Sequence, residues 1–205
     1  MNRTVYYDKM KALAREVRVQ YGLTSYRVMK SDMRRIYKAE GITIDLWPHK
    51  LKNLRGAYFN DEMGPSVLIA KSLPEDPYIF TLGHELKHHL VDRDLGLSFC
   101  HDSNESEPIE IGAEIFAAEL IFPEQDFCDL LRQQGIGRHE CRPEDLVRLK
   151  RETQTTLSYA SLAKRAVFTG FAAPRSLAKV KWTKLEESLY GEPLYKRLLR
   201  QRRGS

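Results

Sequence analysis

One stretch constrains this chain more than any other: Phe80-Thr-Leu-Gly-His84-Glu85-Leu-Lys-His88-His89-Leu90. It contains the pattern His-Glu-x-x-His. Two residues four apart on an α-helix share one face and lie about 6 Å apart along the axis. His84 and His88 can therefore grip one metal ion from one side, and Glu85, beside the first of them, can reach a water at that ion. The spacing serves little besides zinc hydrolysis. It demands a helix at this position, a third ligand from elsewhere and a cleft, and it leads us to expect a small zinc-dependent protease. His89 stands about 100° off the ligand line and reads as a packed or surface histidine.

The sequence supplies the helix. In Leu73-Pro-Glu-Asp76-Pro77, Asp76 can cap the first amides and Pro77 suits the first turn. A helix is predicted from Tyr78 to about Asp92, with Ile79, Leu82, Leu86 and Leu90 as its buried stripe. Two helices precede it, over residues 8–20, closed by Gly22, and from Ser25 to Glu40, closed by Gly41. Between them and the motif lie three strand signals. Residues 42–47 alternate and are rich in branched side chains, Gly56–Asn60 is short, and Ser66–Ala70 follows a turn at Asp61–Pro65. They suggest a small, largely antiparallel sheet whose edge can pair with an extended substrate.

A catalytic zinc keeps three protein ligands and one open position. After a loop over Asp94–Glu107, Pro108 opens a helix that Pro123 ends, and it carries Glu110 and Glu114 one turn apart. One carboxylate would bind the metal. The other would accept a hydrogen bond from a ligand histidine's second nitrogen, which orients the ring. Glu119 faces roughly a quarter turn from Glu110 and is a poorer choice, and His101 and Asp102 on the loop are the alternative third ligand. Glu85 would take a proton from the attacking water and pass it to the leaving amine. The developing oxyanion needs a donor, for which Tyr58, Tyr78, Tyr159 and His101 are the candidates.

Phe80-Thr-Leu-Gly-His84-Glu85-Leu-Lys-His88, followed by Glu110-Ile-Gly-Ala113-Glu114-Ile-Phe116-Ala-Ala-Glu-Leu-Ile-Phe-Pro123, resembles the ImmA/IrrE family of metallopeptidases. Members typically pair a His-Glu-x-x-His helix with one reading like Glu-x-x-Ala-Asn-x-Phe-Ala-Ala-x-Leu-Leu-Met-Pro. The resemblance covers roughly residues 20 to 125. It implies His84, His88 and Glu110 as zinc ligands and Glu85 as the catalytic base. Glu114 stands where the family usually has Asn or Asp, and Phe122 where it has Met. The resemblance also implies a substrate, since such members cleave a helix-turn-helix transcriptional repressor and so induce its genes, some in stress responses. Radiation-response members carry a helix-turn-helix-like domain after the peptidase and then a sensor domain. At 205 residues this chain has room for the first appendage only.

The fold expected is α+β: a zincin-like metallopeptidase domain over residues 1–126 with a small antiparallel sheet, then a helical region over 127–205. That second region carries 17 Lys or Arg against eight acids, whereas Asp94–Asp126 has nine acids and no base. The basic helices read as 124–134, 143–150, 158–168 and 174–190. They fit a helix-turn-helix unit as well as a plain bundle, so proximity to DNA is one expected use and docking on an acidic partner another. No apolar run approaches the ~18 residues of a membrane span, and the N-terminus shows no apolar signal segment. The three cysteines, Cys100, Cys128 and Cys141, are too few and too widely spaced for a disulfide framework. Together these features point to the cytoplasm. The rival reading is a non-catalytic, zinc-containing regulator that binds DNA or a repressor. Glu85 argues against it, because a non-catalytic protein has no use for a carboxylate there.

Overall fold

The computed structural model describes residues 2–48, 56–93, 98–99 and 107–193, together with Lys196. The chain forms two compact units. One comprises Met1–Glu124 and the short segment Gln154–Ser158; the other comprises Gln125–Thr153 and Tyr159–Ser205. Among the described residues the architecture is α+β.

The first unit opens with α1 (Arg3–Gln20), whose inward stripe is Tyr6, Met10, Ala14 and Val17. It starts five residues earlier than the periodicity suggests. The Asn2 side chain caps it by accepting the Thr4 amide at 3.1 Å, and Tyr6 extends the buried stripe by a turn. Gly22, at φ 62°, ends it. By contrast α2 (Lys30–Ala39) starts five residues later than expected. Its first turn is fixed by Asp32, which accepts the Met29 amide at 2.9 Å. Met33, Ile36 and Tyr37 bury its inner face, and the Tyr37 hydroxyl donates to the Leu82 carbonyl at 2.7 Å.

Strands β1 (Thr43–Trp47), β2 (Gly56–Asp61), β3 (Gly64–Ala70) and β4 (Ser98–Phe99) form one sheet in the order β1-β3-β2-β4. Two of the three pairings are antiparallel, as expected of a largely antiparallel sheet. β2 and β3 are a hairpin in register Asp61↔Gly64, closed by the Met63 amide on Asp61 and by Gly64 at φ 98°. The third pairing, β1 with β3, is parallel. The hairpin forces β2 and β3 antiparallel, and β1 then adds on the far side of β3. A parallel pair needs a long crossover, and β2 with its flanking chain is that crossover. Helix α3 (Glu75–Val91) packs on β2 and β3, on α2, and on α4 (Pro108–Ile121), which also packs on α1. The core of the unit therefore lies around α3.

The second unit is helical: α5 (Glu124–Gln133), all but its first residue, α6 (Pro143–Thr153), α7 (Tyr159–Phe168) and α8 (Trp182–Tyr190). Its buried residues include Phe127, Leu131, Leu146, Leu149, Leu162 and Ala166. The last helix is shorter than the sequence suggests. Residues 174–179 form turns instead, with Arg175 at φ 66° and Leu177 buried. A left-handed residue directly after Pro174 stops the helix that the proline would have opened. Trp182, the first residue of α8, stacks on Tyr159 with 5.1 Å between ring centroids.

Candidate metal centre

The motif sits in the middle of α3, and the helix is buried on almost every side. Its N-terminus differs from expectation. The cap residue is Pro74, and Asp76 lies inside the first turn beside Glu75. There it meets the positive end of the helix dipole. Polar side chains in the buried part need partners, and most partners are visible. Thr81 donates back to the Pro77 carbonyl at 2.8 Å. The Tyr58 hydroxyl and His89 Nδ1 lie 3.0 Å apart, on the side of the helix turned to the sheet. Burial raises the Tyr58 hydroxyl and lowers His89, which stays neutral at neutral pH.

Small residues let α4 approach this helix closely. A Cβ built on Gly83 would stand 3.2 Å from Ala117 Cβ; on the other side of α4, one on Gly112 would run into the Tyr6 ring of α1 at 2.6 Å. Ala113, Ala117 and Leu120 are fully buried, and with Glu110 they follow the three–four spacing of one helix face. Glu110 thus stands on the α4 face that meets α3. Glu114 lies about 40–60° off that line by helix geometry and is exposed.

Three donor side chains converge at this crossing. His84 Nε2 is 3.0 Å from Glu110 Oε2, His88 Nε2 is 3.5 Å from Glu110 Oε1, and the two Nε2 atoms are 3.3 Å apart. His88 is fully buried, while His84 and Glu110 keep about a tenth of their surface open (12% and 10%), which leaves the cluster one accessible side. Among the described residues this is the one group of three or more His, Cys, Asp or Glu whose ligand atoms gather closely enough to hold a metal ion.

Asp92 decides how His88 presents itself. Its Oδ2 lies 2.8 Å from His88 Nδ1. An ionised carboxylate can only accept, so Nδ1 carries a proton and Nε2 is left as the nitrogen that can offer a lone pair toward His84 and Glu110. Burial alone would raise the Asp92 carboxyl, but hydrogen bonds from His88 and Lys87 outweigh it and hold the group below its ordinary value. A lone pair facing a carboxylate and another imidazole nitrogen is a poor arrangement unless a cation lies between them. Sequence reasoning missed Asp92, although its place four residues after His88 was a usable signal. The expected orienting carboxylate was Glu114.

Glu85 is fully buried between α3 and β2. Its Oε1 would be 3.0 Å from a Cβ on Gly56, so the bare backbone of β2 makes room for it. Other expected residues lie elsewhere. Glu119 is buried, but Arg15 donates to it at 2.8 Å and the Glu124 amide at 2.8 Å. Tyr58 is bonded to His89, Tyr78 is buried with the Lys30 ammonium over its ring, and Tyr159 belongs to the second unit. His101 and Asp102 fall outside the described residues.

The model of the IrrE N-terminal-like domain, peptidase family M78, matches residues 38–166. The chain belongs to this family. The match runs from the last turn of α2 into α7, so it starts later than the sequence resemblance and continues into the second unit. No curated protein matches this M78-family chain. Among solved structures, a Mycobacterium tuberculosis transcriptional regulator has the same general fold. It superposes with a TM-score of 0.56 at 14% identity, over 85% of this chain and 52% of that one. The chain thus spans about half the length of that protein. No helix among the described residues is long and apolar enough to cross a membrane.

Proposed function

We propose that this M78-family chain is a zinc-dependent endopeptidase in which His84, His88 and Glu110 hold the metal and Glu85 is the general base. The observation that carries the reading is the spacing of the three donors. Ligands about 2.0–2.1 Å from a tetrahedral zinc ion lie roughly 3.3–3.4 Å from one another, and the separations here are 3.0, 3.3 and 3.5 Å. Two imidazoles and one carboxylate are also a donor set that suits zinc. Zinc bound there would act as a Lewis acid, polarising a peptide carbonyl and making a water acidic.

The remaining steps belong to the chain's own residues. Asp92 keeps His88 in the ligating tautomer. Glu85, one residue after the first ligand, takes the proton of the attacking water and returns it to the leaving amine. Its burial against Gly56 holds the carboxylate in place and keeps bulk water from competing.

The substrate we propose is a helix-turn-helix transcriptional repressor, and the setting is the cytoplasm. The family membership and the regulator-like fold of the solved neighbour support a protein partner in gene control. The excess of Lys and Arg in residues 127–205 suits docking on an acidic partner or a position near DNA. The test is co-expression with the repressor encoded beside the gene, followed by detection of its fragments. Wild type should cleave it. Glu85→Gln should retain zinc and lose cleavage, a loss of about 10²–10⁴-fold for a general base. Glu110→Ala should lose both. Full cleavage by Glu85→Gln would remove the assigned base, and undiminished zinc in Glu110→Ala would remove the assigned ligand.

A further inference from the structure

The motif carries a lysine between its glutamate and its second histidine, and nothing in the chemistry above uses it. Lys87 is 0% exposed. Burying an ammonium costs several kcal/mol, roughly, unless it is paired and hydrogen-bonded, so the place where its charge ends is informative. Nζ is hydrogen-bonded to Asp92 Oδ2 and donates to the Ile109 carbonyl at 3.1 Å, and it lies 5.7 Å from the centre of the Tyr6 ring. Two features of this placement matter. The Asp92 oxygen that Lys87 holds is the one that receives His88 Nδ1. The Ile109 carbonyl belongs to the residue immediately before Glu110, in the first turn of α4.

We propose that Lys87 is a positioning residue of the metal centre. Its ammonium fixes the Asp92 carboxylate against His88 and ties that carboxylate to the turn that presents Glu110. One side chain on α3 thereby links both halves of a site built on two helices. It also neutralises a carboxylate that would otherwise be a lone buried anion behind a metal ligand. Without Lys87, Asp92 is free to turn toward any other donor or toward water, and His88 loses the partner that fixes its ring. Partners that orient a ligand histidine in this way are generally worth about 10–100-fold in metal affinity.

The inference rests on the proposed metal site, and the test separates the two. Full-length wild type, Glu110→Ala, Lys87→Met, Asp92→Asn and the Lys87→Met/Asp92→Asn double variant are compared. Zinc affinity is measured by competition with a chromogenic chelator, and the visible spectrum of the Co²⁺-loaded protein reports ligand geometry. Lys87→Met is expected to weaken zinc by about 10–100-fold and to alter the cobalt bands. Asp92→Asn should do the same, and the double variant should bind within about threefold of Asp92→Asn alone, because the lysine acts through the aspartate. If Lys87→Met does not fold, because Asp92 is left uncompensated, adding Asp92→Asn should restore folding. A folded Lys87→Met with wild-type affinity and spectrum overturns the proposal, whatever its melting temperature. So does a double variant that stays unfolded or binds more than threefold more weakly than Asp92→Asn. Wild type that binds no zinc, or binds it independently of Glu110, overturns the metal site itself and this proposal with it.

Discussion

Gly56 is where the sheet comes up against Thr81 and Glu85 of α3, and replacing it by alanine should damage the fold and the proposed chemistry by separable routes. The new Cβ would sit 2.6 Å from Thr81 Cγ2, 3.0 Å from Glu85 Oε1 and 3.3 Å from the Leu68 carbonyl oxygen. Carbon atoms are best placed about 3.5–4.0 Å apart, so the first contact is an overlap of roughly 1 Å in a fully packed region. Overpacking of this kind costs about 1–3 kcal/mol. For a chain of this length that is a fall of roughly 2–12 °C in melting temperature. Thr81→Ser removes the offending methyl and keeps the hydroxyl that bonds to Pro77. In the double variant Gly56→Ala/Thr81→Ser most of the lost stability should return, while cleavage stays impaired because the Cβ still presses on Glu85. Thermal unfolding by circular dichroism gives the first quantity, and cleavage of a repressor-derived substrate with zinc in excess gives the second. If Gly56→Ala melts within about 1 °C of wild type and cleaves normally, the close approach of β2 to Glu85 is wrong. If Thr81→Ser restores activity along with stability, the carboxylate is not held by this contact.

Two further outcomes are expected. Arg18 donates to the Leu120 and Ile121 carbonyls at 2.6 and 3.2 Å and to the Ser25 carbonyl at 3.3 Å. It therefore holds the end of α4, and Arg18→Met should cost roughly 3 kcal/mol in denaturant unfolding with little effect on zinc affinity. Burial, with Asp145 nearby, pushes the Cys141 thiol up to about 12. The folded state thus keeps a proton that the unfolded state loses near its ordinary value. The stability this contributes is complete below about pH 9 and is lost as pH rises toward 12. Cys141 should react slowly with an alkylating reagent at pH 8.5 in the native protein and quickly in denaturant; equal rates in the two states, read by mass spectrometry of the peptide, would contradict its burial.

The elements readable from the sequence were those governed by local signals. The periodicity of α3 and the proline and glycine stops placed most helices to within a few residues, and the motif pointed to His84 and His88, which the fold gathers with Glu110. Failures came where a distant contact decided. The sheet hairpin, not any property of residues 43–47, made the pairing of β1 with β3 parallel. The left-handed Arg175 removed half of the expected last helix. Lys87 and Asp92 were overlooked because a lysine and an aspartate in a polar helix end look like solvated charges. Their meaning appears only when α4 brings the Ile109 carbonyl to them.

Which of Glu110 and Glu114 stands beside the two histidines follows from the packing of α4. Two carboxylates one turn apart on a helix are nearly on a line, and the ligand question then seems to need the family pattern. The packing residues of α4 settle which of the two faces α3. Ala113, Ala117 and Leu120 follow Glu110 by three, seven and ten residues, the repeat of a single face, and all are fully buried. The residues at the same offsets from Glu114 include Ala117 and Ile121, which are buried too, but Glu114 itself is exposed whereas Glu110 is buried. Gly83 lies against Ala117, so the face that carries Ala117 is the face that α3 meets. Two turns back along it stands Glu110, level with His84 and His88. A stripe of alanines on one helix and a glycine on the other thus aim the third donor. Enlarging either member of the pair, as in Gly83→Leu, should separate Glu110 from the two histidines and weaken zinc more than it slows any step of cleavage at saturating metal.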